Sequence, residues 1–166
     1  MFRFAFAAVL AILVPLAPSA WDADWTFEKR LLTGPAGRPV DGCVAMTAQG
    51  RRGTMLLTLG RGYADLAVGL AGLTFAPGEV VDPVIVRVGQ REYRFRGRAH
   101  AASGRNGGRT HLLSLAGGAE LEVFAFELRY GPTLAIVLPG AAETTLSLSG
   151  ANRAIIRAFD CRAGLG

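Results

Sequence analysis

The 166 residues predict a mainly β fold, an antiparallel β-sandwich or partly open barrel with one or two short helices near the C-terminus. Three features predict it. Apolar residues recur mostly at a period of two, in runs of strand length. Glycine-bearing turns separate those runs, and the 22 glycines show no three-residue period. Only two segments, both late in the chain, shift to a helical period.

Taken in order, Trp25 and Phe27 alternate with Thr26 and Glu28, and residues 40–48 form a run around Cys43. After Gly50-Arg51-Arg52-Gly53 comes the run 54–59, which Gly60-Arg61-Gly62 joins to residues 63–70 as a hairpin. Residues 84–88 (VIVRV) and 91–98 (REYRFRGR) flank Gly89-Gln90 as a second hairpin, and residues 110–115 follow a loop at 103–108. In residues 119–130, Leu121, Phe124, Ala125 and Leu128 fall at i, i+3, i+4 and i+7 before a Gly131-Pro132 stop, which predicts a helix. An alternating strand is the other reading there, because Leu121 and Val123 flank Glu122. Residues 144–148 read as a strand. Ser149 is placed to cap a helix over 151–161 that has Ala154, Ile155, Ala158 and Phe159 on one side and Arg153 and Arg157 on the other. No repeat or linker interrupts residues 21–166, which predicts a single β-rich domain.

Residues 1–20 read as a signal peptide. Arg3 supplies a positive n-region, residues 4–16 (FAFAAVLAILVPL) are apolar throughout, and Pro15 and Pro18 precede the small residues Ser19 and Ala20. The apolar run is shorter than the roughly 20 residues a bilayer span needs, so no stable membrane span is expected after cleavage. Export to the periplasm or beyond is the expectation. In an oxidising compartment the only two cysteines, Cys43 and Cys161, are expected to pair with one another as a structural disulfide that ties the C-terminal helix to an early strand.

Catalytic chemistry needs titratable groups brought together, and this chain carries few. His100 and His111 are the only histidines, and Lys29 is the only lysine. A triad of Ser114, His111 and Asp82 can be written on paper, but no G-x-S-x-G elbow supports it. Neither a metal-ligand motif nor a nucleotide-binding glycine motif occurs, so no catalytic residue, metal or cofactor is expected. A small hydrolase using His100 or His111 with a carboxylate is the enzymatic alternative, and an inhibitor or lectin-like module acting through its loops is another.

Charge is the uneven feature. Between Arg87 and Arg109 stand seven arginines against one acid, Glu92. On a strand, Arg94, Arg96 and Arg98 point to one side and Tyr93, Phe95 and Gly97 to the other. With Arg91 and Arg105 they make the candidate surface for an anionic envelope component or an acidic protein partner. The competing reading is a solvated edge strand, where charge discourages sheet-to-sheet aggregation. Nucleic acid is not expected as a partner of an exported chain that lacks a recognition motif.

Trp25-Thr26-Phe27, the cysteine strand Gly42-Cys43-Val44-Ala45-Met46-Thr47, and the closing Leu146-Ser147-Leu148-Ser149-Gly150-Ala151 with Ala154 in a short helix resemble the invasion-associated locus B proteins of alphaproteobacteria. The resemblance implies an exported, non-enzymatic protein linked with the envelope or host interaction. It transfers no catalytic residue.

Overall fold

A computed structural model describes residues 25–33, 39–49, 52–70, 75–103, 109–116 and 118–165. The predicted signal at 1–20 and the candidate Arg105 lie outside them. Among the described residues nine strands form one antiparallel sheet: β1 (Thr26–Thr33), β2 (Pro39–Ala48), β3 (Gly53–Gly60), β4 (Tyr63–Leu70), β5 (Val80–Val88), β6 (Arg91–Ser103), β7 (Arg109–Ala116), β8 (Thr133–Val137) and β9 (Thr144–Ser147). Helix α1 (Gly118–Glu127) separates β7 from β8, and α2 (Ala151–Ala163) follows β9. The order across the sheet is β1-β2-β3-β4-β7-β6-β5-β8-β9.

The sheet is open, since β1 and β9 are not paired, yet it is far from flat. Seven strand spacings separate β2 from β9, about 33 Å in a flat sheet. Gln49, the residue after β2, nevertheless clasps β9 directly. Its side-chain amide donates Nε2–H to the Ser147 carbonyl at 2.7 Å and accepts the Ser147 N–H on Oε1 at 2.8 Å. The sheet therefore wraps round on itself, and of the two predicted architectures the partly open barrel is the one that forms. Right-handed strand twist supplies the curvature.

The wrapped sheet encloses a single core. Alternate residues of β3 (Met55, Leu57, Leu59), β4 (Leu66, Val68) and β7 (Leu113, Leu115) are buried in it, and both helices press their apolar sides into the same cluster. Helix α2 lies against β1, β2 and β3, although it leaves the sheet from the opposite edge strand β9. Cys43 on β2 and Cys161 on α2 form the predicted disulfide, with 5.9 Å between their Cα atoms, and this covalent link joins the two ends of the sheet order.

One local reading needs correction, and two features of the sheet were not read from the sequence. Ser149 does not cap α2. The N-cap is Gly150, in the left-handed conformation (φ 80°) with no side-chain cap, because a tight turn closed by the Ala151 N–H on the Leu148 carbonyl takes the chain straight from β9 into the helix. Strand β8 was not predicted. Its sequence TLAIV is apolar at four consecutive positions, so its alternation is faint, although Leu134 and Ile136 are buried and Ala135 and Val137 are only half-buried. Finally, β4 pairs with β7 rather than β5, so the hairpin β5–β6 and β7 are set into the sheet in reverse order. The helical reading of 119–130 holds: α1 buries Leu121, Phe124, Ala125 and Leu128, and a hydrogen-bonded turn continues to Tyr130.

Gly53, at the entry to β3, shows how closely the strands approach. Its φ of 146° is open to glycine, and a Cβ there would stand 2.5 Å from the Gly69 carbonyl oxygen, a backbone atom that cannot swing aside. Gly53→Ala is expected to cost about 1–3 kcal/mol, measurable as a lower denaturant midpoint with unchanged m.

Candidate functional site

The arginine row lies where the alternation places it. On β6, Tyr93, Phe95, Gly97 and Ala99 are buried, while Arg94, Arg96 and Arg98 are exposed on the outer face of the sheet. Arg87 of β5 joins them, because its cross-strand partner is Glu92. Between Val81 and Val84 the β5–β6 register shifts, and Asp82 in this bulge receives Arg96 at 3.0 Å. Glu92 accepts from Arg87 at 3.1 Å and from Arg94 at 3.2 Å, and Arg87 also reaches Glu143 at 3.1 Å. Arg98 donates to the Gly78 carbonyl at 3.4 Å. Three guanidiniums thus share three carboxylates, and Arg98 meets only a backbone carbonyl. The Arg87 hydrogen bond above all, then Arg94, lowers the pKa of the Glu92 carboxyl.

Arg91 does not belong to this row. Its parity puts it on the other face of β6, and it pairs with Glu127 at the end of α1. The same carboxylate accepts the Tyr93 hydroxyl. Burial, and then the hydrogen bond to Glu127, push the Tyr93 pKa above its ordinary value near 10. This clasp pins the C-terminal end of α1 to the β5–β6 hairpin. It borders a cavity of about 410 Å³ lined also by Gln90, Tyr130 and Pro132. Tyr93→Phe is expected to cost about 1 kcal/mol at neutral pH. A raised folded-state pKa means that the hydroxyl's contribution is present below pH 10 and is lost as pH rises through the folded value, so wild type and variant should converge in alkaline unfolding titrations.

A second cavity, of about 650 Å³, opens where the C-terminal end of α2 meets β1, β2 and the β3–β4 turn. Lys29 and Asp41 form an exposed ion pair there at 2.9 Å, beside Arg61 and Tyr63.

None of the sequence matches a family model or a curated protein, and no solved structure matches the fold. The assignment therefore rests on side-chain placement.

His100 is exposed on the outer face of β6, one strand position beyond Ala99. Asp82, drawn into the paper triad, is held by Arg96, and Ser114 stands opposite Arg98 in the β6–β7 ladder. His111 lies opposite Ala101 in the same ladder. Among the described residues no three His, Cys, Asp or Glu side chains are grouped to hold a metal ion, and no helix is long and apolar enough to cross a membrane. Two features escaped the sequence reading. Glu127 meets Tyr93 only through tertiary packing, which leaves no local signal. The outward side of α1 did leave one, since Val123, Phe126 and Tyr130 are apolar positions outside the predicted core stripe.

Proposed function

We propose that the chain is an exported, disulfide-bridged β domain that binds an anionic partner at the cell envelope through the outer face of β5 and β6, and that its role is binding rather than catalysis. The alignment of Arg94, Arg96 and Arg98 on one exposed strand face carries this reading. The Arg94 and Arg96 side chains are 71% and 69% exposed, so their ion pairs are solvated and contribute at most about 1 kcal/mol each. A partner that presents carboxylate, phosphate or sulfate groups can exchange with Asp82 and Glu92 at little cost. Guanidinium forks would grip such groups in bidentate fashion. Residues 1–20 and the cystine support export, and the likeness of both chain ends to the invasion-associated locus B proteins agrees with an envelope role.

Two measurements test the parts separately. The protein recovered from the periplasmic or secreted fraction should have the mass of a chain cut near Ala20; a full-length mass in the cytoplasmic fraction would remove the export claim. The triple variant R94E/R96E/R98E should lose its envelope partners in pull-downs from periplasmic extract and keep the thermal unfolding profile of a folded domain. Capture indifferent to the reversal would reduce the arginine row to a solubilising surface.

A further inference from the structure

Helix α1 is apolar on two sides, and the fold covers only one. Leu121, Phe124, Ala125 and Leu128 enter the core, whereas Val123, Phe126 and Tyr130 project on the opposite side, 55%, 44% and 68% exposed. At spacings of three and four residues they form a continuous ridge. Phe126 meets Tyr130 edge-on at 5.8 Å and Phe159 of α2 at 6.0 Å. The Arg129 guanidinium lies over the Phe126 ring at 4.5 Å and the Tyr130 ring at 5.2 Å, and it donates to Asn152 rather than to an acid. Arg153 and Arg157 are exposed on the neighbouring helix, and among the described residues neither is in an ion pair.

The shape and charge of this ridge decide what covers it. With about 150–250 Å² for a whole aromatic side chain, the exposed fractions amount to roughly 300 Å². A stable protein interface takes about 800 Å² from each partner, and a protruding helix ridge needs a matching groove to reach that figure. A fluid bilayer surface adapts to a ridge. Aromatic residues settle at the boundary between headgroups and acyl chains, and flanking arginines meet the lipid phosphates. We propose that the α1 ridge docks the domain on an anionic phospholipid surface, with Val123, Phe126 and Tyr130 entering the interface and Arg129, Arg153 and Arg157 facing the headgroups.

This surface is separate from the arginine row. Phe124 of α1 packs against Tyr93 and Phe95, whose neighbours Arg94 and Arg96 point to the other side of β6. A domain resting on α1 holds its arginine face away from the bilayer, so the two surfaces can fail independently.

Vesicle flotation tests the proposal, with the protein purified from cells that export it and every variant carrying the same N-terminus. Vesicles containing phosphatidylglycerol should carry the wild type, and pure phosphatidylcholine vesicles should carry much less. At physiological ionic strength F126S/Y130S should lower the bound fraction by about tenfold or more, a clearly larger loss than R94E/R96E/R98E produces. Tyr130→Ser alone, beyond the last turn of α1, is the control for folding and should show a smaller loss in the same direction. Equal binding of wild type and F126S/Y130S would overturn the proposal. So would a loss confined to R94E/R96E/R98E, or self-association abolished by F126S/Y130S without any vesicle binding, which would make a second copy the occupant.

Discussion

Replacing Cys43 and Cys161 together by alanine, or reducing the bridge, is expected to destabilise the domain by about 2–5 kcal/mol, the range usual for removal of a native disulfide from a small domain. The bridge spans 118 residues of sequence. A loop of that length constrains the unfolded chain by nearly 5 kcal/mol in the chain-entropy account, and strain or residual structure brings measured values below that. The native side of the balance matters as well. Helix α2 grows from the edge strand β9 and must stay docked on β1, β2 and β3 at the other end of the strand order. Among the described residues, the Gln49 clasp, the helix packing and the bridge hold the wrapped sheet against opening. Unfolding in denaturant with and without reductant checks this: the oxidised midpoint should be higher, and the melting temperature of the reduced form should fall by on the order of 10 °C. Superimposable curves would mean that the wrapped sheet does not depend on its covalent link.

Phe124→Ala is expected to cost about 3–5 kcal/mol, the usual penalty for deleting a fully buried ring. Phe124 has no exposed surface, and its ring stands edge-on to Tyr93 at 4.9 Å and to Phe95 at 5.4 Å. It is the anchor through which α1 grips β6. Packing around it cannot collapse easily, because Tyr93 is also held by Glu127 and the backbone of β6 is fixed by β5 and β7. Val123→Ala, one residue away but on the exposed side, should change stability by no more than about 0.5 kcal/mol. A calorimetric pair of these two variants therefore distinguishes the two sides of the helix. Similar losses in both would contradict the orientation of α1.

Much of this architecture was legible in the residues. Period-two alternation in YRFRGR placed Tyr93 and Phe95 on one side and Arg94, Arg96 and Arg98 on the other, because a strand's two faces are dictated locally. The disulfide was legible because two cysteines allow one pairing. The order of strands was not, since β4 joins β7 through contacts that no local pattern encodes. Nor was the neutralising company of the arginine row. Glu92 stands within the run, but Asp82 and Glu143 come to the row only after β5 bulges and β8 brings the connection to β9 alongside. Arg91 shows the same limit in the other direction: membership of an arginine-rich run suggested a shared surface, and one residue of parity put it against Glu127 instead.

That the outer face of β5 and β6 is a binding surface for anions is the central claim, and a titration with a defined polyanion, polyglutamate, tests it most directly. Binding to the wild type should be measurable at low ionic strength and should weaken steeply as salt shortens the screening length to about 8 Å at physiological strength. R94E/R96E/R98E should bind at least about tenfold more weakly under the low-salt condition while unfolding at a similar temperature. Equal affinity of the two proteins, or an affinity that salt does not change, would contradict the assignment of this face.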